Sequence, residues 1–264
     1  MKIGFIGCGN MATAMLKGIL KSGEVEASDM IASAKSDKTR EKIEKELGIQ
    51  KADSNAQVVN FADVVFLAVK PQFLEGVLDE IRGSVKAGQI FISIAPGKTL
   101  QWLGERIGEN TKVIRTMPNT PAMVGEGMTA LCVNELVTEE ETALAVKLCN
   151  TFGKTEVIPE HLMDAVVGVS GSSPAYVFMF LEAMADAAVA DGMPRAQAYK
   201  FAAQSVLGSA KLMLETGKHP GELKDMVCSP AGTTIQAVRV LEEKGFRSAV
   251  IEAQTECVKK ARGM

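Results

Sequence analysis

Two stretches of this chain concentrate residues that can do chemistry. In "CSPAGTTIQAV", residues 228–238, small and backbone-bending residues precede the apolar-periodic positions Ile235, Val238 and Leu241, so the run opens a helix. Helix starts leave N–H groups unpaired and carry partial positive charge, and no bulky side chain in "SPAGTT" bars a small anion from them. Thr233 and Thr234 add hydroxyls that can donate to or accept from a polar atom of the same ligand. The run reads as a carboxylate cradle or, equally, as a helix N-cap with a Pro-Gly entry. The second stretch, "GFIGCGNMATAM", sets Gly7, Gly9 and Ala12 in a G-x-G-x-x-A pattern between a strand and a helix. There the glycines make a tight turn and let backbone approach a pyrophosphate.

Other positions refine that reading. An acidic residue at the end of the second strand would suit the free ribose hydroxyls of NAD. Ala34, Lys35 and Ser36 stand there instead, with Lys38 and Arg40 just after. These groups suit a 2'-phosphate and favour NADP(H); Asp37 weakens the cationic reading, and the lysines also fit the solvated start of a charged helix. In "LAVKPQ", Pro71 stops a strand at the carboxyl edge of the sheet, and Lys70 is a candidate amine or a surface cation. "SIAPGKT" and "RTMPNTPAMVGEG" are further loops at strand ends. They wall a nicotinamide pocket or serve as ordinary βα turns.

The elements that must hold these residues follow from periodicity. Up to about Glu160, the β-rich runs "KIGFIG", "DMIASA", "DVVFLAV", "QIFISIA", "KVIRTM" and "MTALCV" alternate with helical patterns. That alternation predicts an α/β Rossmann domain with a doubly wound, mostly parallel sheet over residues 1–160. "VVFLAV" and "IFISIA" lack polar alternation and should be central. Residues 161–264 read as an all-α domain of Ala-rich and Met-rich segments. The segment 174–191 is apolar nearly all round and needs cover, either from a second subunit or from the first domain.

Composition excludes several classes. With 47% apolar and 23% charged residues the chain is globular. A net charge of -3 with 5% aromatics gives no electrostatic footprint for nucleic acid. The N-terminus reads as a strand and turn, and not as a signal peptide. The longest uncharged run, Ala165–Leu181, is broken by "SGSSP" and short for a bilayer, which predicts a soluble protein without a membrane partner. Five scattered cysteines without a C-x-x-C pair fit a reducing compartment, hence a cytoplasmic location. His161 and His219 lie in no ligand cluster, so no metal is expected. Cys228 has no evident histidine partner and reads as a small packing residue.

Taken together, "GFIGCGNMA", "DVVFLAVKPQ", "RTMPNTPA", "GVSGSSPAYVF", "DGMPR" and above all "LKDMVCSPAGTTIQAVRVLE" resemble the pyrroline-5-carboxylate reductase family over essentially the whole chain. The resemblance implies a helical C-terminal domain that builds an intertwined dimer, often a larger assembly of dimers. It also implies an active site between the nicotinamide pocket of one subunit and the "SPAGTT" loop of its partner. Ser229, Gly232, Thr233 and Thr234 would hold the carboxylate and ring of Δ1-pyrroline-5-carboxylate, Thr234 nearest the imine nitrogen. Ile6, Gly7, Cys8, Gly9, Asn10, Met11, Ala34, Asn55, Ala68, Val69, Lys70, Pro71 and Ala95 would line the cofactor, and Glu160 would lie near the substrate. Met226 stands where relatives commonly carry an amide, and Ser173 precedes Pro174 where many have glycine.

The implied reaction is reduction of the imine to L-proline, the last step of proline biosynthesis, with NADPH as cofactor and NADH as the second choice. A neutral imine accepts hydride poorly, so the nitrogen must be protonated; Thr234, a poor acid, would orient it and relay a proton. Two other readings are a related NADP-linked small-acid reductase and a non-catalytic NADP-binding protein. The former calls for a lysine that "SGSSPAYVFMF" does not offer; intact Thr233 and Thr234 argue against the latter.

Overall fold

Short runs of fully buried β-branched and aromatic residues build the centre of the molecule. The computed structural model describes residues 1–263, the side chain of Lys42 excepted. Strands β1 (Ile3–Ile6), β2 (Met30–Ser33), β3 (Gln50–Lys51), β4 (Val64–Leu67), β5 (Ile90–Ser93), β6 (Lys112–Met117), β7 (Gly127–Val133) and β8 (Gly153–Val157) form one sheet. Its order is β3-β2-β1-β4-β5-β6-β7-β8. All neighbours are parallel except β6 and β7. As their unbroken apolar runs require, β4 and β5 are central and buried throughout. Phe5 and Phe66, in register across β1 and β4, stack with ring centroids 4.4 Å apart. The polar strands β3 and β8 were not foreseen. A two-residue strand carries no periodicity, and "GKTEV" exposes most of its side chains at the sheet edge.

Helices α1 (Asn10–Ser22), α2 (Asp37–Leu47), α3 (Asn55–Phe61), α4 (Pro71–Ile81), α5 (Leu100–Ile107) and α6 (Glu139–Cys149) connect the strands. Four of them begin at a side-chain cap. Ser36, Ser54, Thr99 and Thr138 accept from the backbone N–H three residues on, at the starts of α2, α3, α5 and α6. The other two have no side-chain cap: α4 starts at Lys70 and α1 at Gly9.

The remaining helices are α7 (Met163–Val166), α8 (Ser173–Ala190), α9 (Arg195–Thr216), α10 (Pro220–Val227), α11 (Thr233–Glu243) and α12 (Phe246–Ala261). The chain divides into two compact units, residues 1–172 with 258–264, and residues 173–257. In the second unit α8 packs on α9, where Ala185, Ala198 and Ala202 are buried and allow close approach. Phe178, Met179, Phe201 and Leu214 are exposed. The helical stretch Glu160–Ala190 is, by length and composition alone, long and apolar enough to cross a membrane, more than the uncharged run 165–181 suggested. It is not one uniform helix, because a π turn spans Val167–Gly171 ahead of α8.

Two outcomes follow from this packing. Phe66→Ala removes a fully buried ring and should cost about 4 kcal/mol of stability, read from chemical denaturation. Burial pushes the Cys132 thiol up to about 12, the Glu160 charge adding to the effect and Arg115 opposing it. Burial alone takes Cys149 to about 12. A thiol reagent at mildly alkaline pH should therefore leave both unlabelled in the native protein and label them once it is unfolded.

Candidate active site

The chain passes from β1 to β2 on one side and later to β4 on the other, so the carboxyl end of β1 is the switch point at which doubly wound sheets bind ligands. Gly7 turns the chain there at φ 95°, and a Cβ on it would meet the Ala68 carbonyl oxygen at 2.6 Å. A Cβ on Gly9 would meet nothing within 4 Å, so the uncapped start of α1 opens onto free space. Unpaired N–H groups with room above them fit a pyrophosphate.

Next to this turn lies a cleft of about 480 Å³, lined among others by Gly7, Ala34, Lys35, Arg40, Asn55 and Val69. Arg40 Nε donates to the Ala34 carbonyl at 2.7 Å, which fixes the guanidinium beside the end of β2. Lys35 Nζ lies 5.4 Å from the centroid of the Phe73 ring. These cations, with no acid at the end of β2, fit a ribose carrying a 2'-phosphate. Asn55 accepts from the Ser33 hydroxyl at 2.7 Å and donates to Glu80 at 2.8 Å. Ser36, expected at the cofactor, accepts from the Thr39 N–H as the cap of α2. Ile6 and Cys8 are buried beneath the turn, and Asn10 and Met11 form the first turn of α1.

Sequence reading missed Phe73, Gly76, Val77 and Glu80, which line the same cleft. Their spacing along α4 is that of one helix face, the signal that would have found them.

Across the sheet, Lys70 is the exposed N-cap of α4 with Pro71 at the first helical position. Ala68 closes against Gly7, and Ala95, nearly fully buried, donates its N–H to Ser93 Oγ at 3.3 Å. Asn119, in the "PNTP" loop, donates to Ser170 in the π turn and accepts from the Met128 N–H at 2.8 Å. Glu160 Oε1 accepts from the Leu100 N–H at 2.7 Å and from Arg115 Nη1 at 3.0 Å.

The "SPAGTT" segment lies in the second unit. Gly232 donates its N–H to the Ser229 carbonyl at 3.0 Å, closing a tight turn. Ala231 takes a left-handed φ of 57°, uncommon without glycine. Gly232 is the N-cap of α11, and no side chain caps that helix. A Cβ at Gly232 would stand 2.3 Å from Ser229 Oγ, so only glycine lets the serine hydroxyl lie against the turn. Of the two readings of this run, a cap made by a serine or threonine side chain is absent. The N–H groups at the start of α11 lack a side-chain acceptor, and Thr233 and half-buried Thr234 stand beside them. Among the described residues there is no cluster of metal-ligating side chains.

Comparison with known proteins agrees with this geometry. Residues 160–264 match the family model for pyrroline-5-carboxylate reductase dimerisation. Residues 2–97 match that of NADP oxidoreductase, coenzyme F420-dependent. The pyrroline-5-carboxylate reductase of Escherichia coli (strain K12) is 56% identical over 98% of this chain and 97% of its own length. A solved pyrroline-5-carboxylate reductase from Coxiella burnetii superposes with a TM-score of 0.93 at 33% identity, over 99% of this chain and 97% of that one. The Plasmodium falciparum pyrroline carboxylate reductase, solved with NADP bound, gives 0.89 at 29% identity, over 100% of this chain and 97% of that one. The turn after β1, the cleft beside it, the uncapped start of α11 and the full-length similarity agree: this chain belongs to the pyrroline-5-carboxylate reductase family.

Proposed function

We propose that this chain reduces Δ1-pyrroline-5-carboxylate to L-proline, the final step of proline biosynthesis, with NADPH as preferred cofactor and as a self-associating enzyme of the cytoplasm. The observation that carries the reading is the uncapped start of α11, held open by Ala231 and Gly232 and flanked by two threonine hydroxyls. Four other helices of the chain, α2, α3, α5 and α6, spend a serine or threonine on this position, a choice worth about 1 kcal/mol. Leaving it vacant suits a ligand carboxylate that supplies the missing acceptor and meets the positive end of the helix.

Bound NADPH supplies the hydride that adds to the C=N carbon. The protein's share is positioning and proton management. The N–H groups at the start of α11, with Ser229 and Thr233, hold the substrate carboxylate. Thr234 Oγ1 orients the imine nitrogen and relays its proton, a role within reach of a hydroxyl that is no acid by itself. At the other end, the open α1 start takes the pyrophosphate, and Lys35 and Arg40 the 2'-phosphate. The dimerisation match over residues 160–264 and the exposed apolar side chains of α8 and α9 support self-association. The dispersed cysteines support a reducing compartment.

Two substitutions test the halves separately. Thr234→Ala should lower kcat by on the order of 10–100-fold, a hydrogen bond to a charged group, while Thr234→Ser keeps most of the activity. Loss of NADPH absorbance on adding the imine reads both, and an unchanged alanine variant would remove Thr234 from the mechanism. Arg40→Ala should raise the KM for NADPH roughly tenfold and leave that for NADH within twofold, one charged contact to the 2'-phosphate being lost. Equal effects on the two cofactors would move the 2'-phosphate elsewhere.

A further inference from the structure

We propose that Glu160 is a positioning residue for hydride transfer: paired with buried Arg115, it pins the loop between β5 and α5 on the nicotinamide side of the crevice. The inference rests on the reductase reading above. Arg115 lies on β6 inside the sheet and is 6% exposed. A guanidinium at that depth needs compensating charge. Glu160 supplies it at 3.0 Å, with Asp164 at 4.0 Å, and Asp164 in turn faces Arg262 at 3.5 Å.

The same Glu160 oxygen accepts from the backbone N–H of Leu100 at 2.7 Å. Leu100 is the first residue of α5, so the carboxylate also meets the positive end of that helix. Leu100 is where the loop Ile94–Thr99 ends. Where it begins, Ser93 Oγ accepts from the Ala95 N–H, and the Ser93 carbonyl accepts from Thr116 Oγ1 at 3.1 Å. Both ends of the loop are therefore tied to side chains, and β6 contributes to each tie through Arg115 and Thr116.

The side of the crevice follows from the sheet order. With the 2'-phosphate end at β2, a dinucleotide crossing the switch point at β1 extends toward the ends of β4 and β5. The loop after β5 thus walls the reacting end. Hydride transfer is steep in geometry, a displacement of about 1 Å costing on the order of 10²-fold. Glu160 acts by holding that wall. Direct contact with substrate is the competing role, and the two leave different signatures.

The single tryptophan, Trp102, reports on the same place. It lies in the first turn of α5, with its ring centroid 4.1 Å from Lys98 Nζ and 4.1 Å from the Arg106 guanidinium. The experiment compares wild type, Glu160→Gln and Glu160→Ala. It reads amide exchange at Leu100 and Trp102 emission in the cofactor-free protein, energy transfer from Trp102 to added NADPH, and steady-state kinetics. Glu160→Ala should speed Leu100 exchange at least about tenfold, alter energy transfer and lower kcat by about 10–100-fold, with the imine KM within twofold. Glu160→Gln keeps an acceptor oxygen and should recover most of each loss. A raised imine KM in both variants with Leu100 exchange unchanged would overturn the proposal in favour of substrate contact. So would wild-type behaviour of the alanine variant in all readouts. Should the alanine variant fail to fold, Glu160→Asp takes its place and is judged by the criteria set for alanine, since the shorter side chain keeps a charge for Arg115 and withdraws the acceptor from the Leu100 N–H. If wild type itself does not oxidise NADPH with the imine, the reductase reading fails, whereas Leu100 exchange in the cofactor-free variants still judges the pinning.

Discussion

Two helix starts of this chain, those of α1 and α11, combine an N-cap glycine with backbone N–H groups that no side chain caps. Buried or ligand-facing amides are costly to leave unmade, which is why α2, α3, α5 and α6 each begin at a serine or threonine. At α1 and α11 the corresponding residue is glycine. A Cβ on Gly9 would meet nothing within 4 Å, whereas Gly7, two residues earlier, closes on the Ala68 carbonyl and Gly232 on the Ser229 hydroxyl. The left-handed Ala231 belongs to the same device, a local strain of about 1 kcal/mol that aims the turn. One vacancy suits a pyrophosphate and the other a carboxylate.

The sheet turns these vacancies into a site. The parallel strands β1 to β6 put the loops that follow them at one edge, and the change of direction at β1 opens the crevice there. Loops at such an edge are free to move unless something holds them. Here the holding is polar: Ser93 with Thr116, Asn119 with Ser170 and Met128, Glu160 with Leu100 and Arg115. A buried arginine costs desolvation that aliphatic packing would avoid. Its place on β6, reaching the residue that anchors a neighbouring loop, gives that cost a geometric return.

Much of this was legible in the sequence, for identifiable reasons. The long apolar runs and the G-x-G-x-x-A turn are local signals, and local physics decides them. Strand β8 was not legible, because an exposed edge strand takes its structure from pairing with β7 and not from its own pattern. The cap of α2 was not legible for a related cause: a hydroxyl near a phosphate site and a hydroxyl capping a helix look alike until the N–H of Thr39 is seen to donate to Ser36. Glu160 could be flagged as important from resemblance, but its partners Leu100 and Arg115 lie 60 and 45 residues away in the chain. No spacing rule reaches that far.

The exposed apolar surface of the second unit ties assembly to chemistry. Few of its side chains are buried in the single chain, chiefly the alanines where α8 crosses α9, while Phe178 and Met179 face outward with Phe201 and Leu214. A helical unit that buries so little gains little from its own core, and association through the region of the dimerisation match, residues 160–264, adds to its stability. The turn of Ala231 and Gly232 is carried by this unit. Its left-handed backbone costs energy that only a well-held α11 can sustain. Self-association therefore does more than enlarge the protein, because it adds packing to the unit that carries the turn of Ala231 and Gly232.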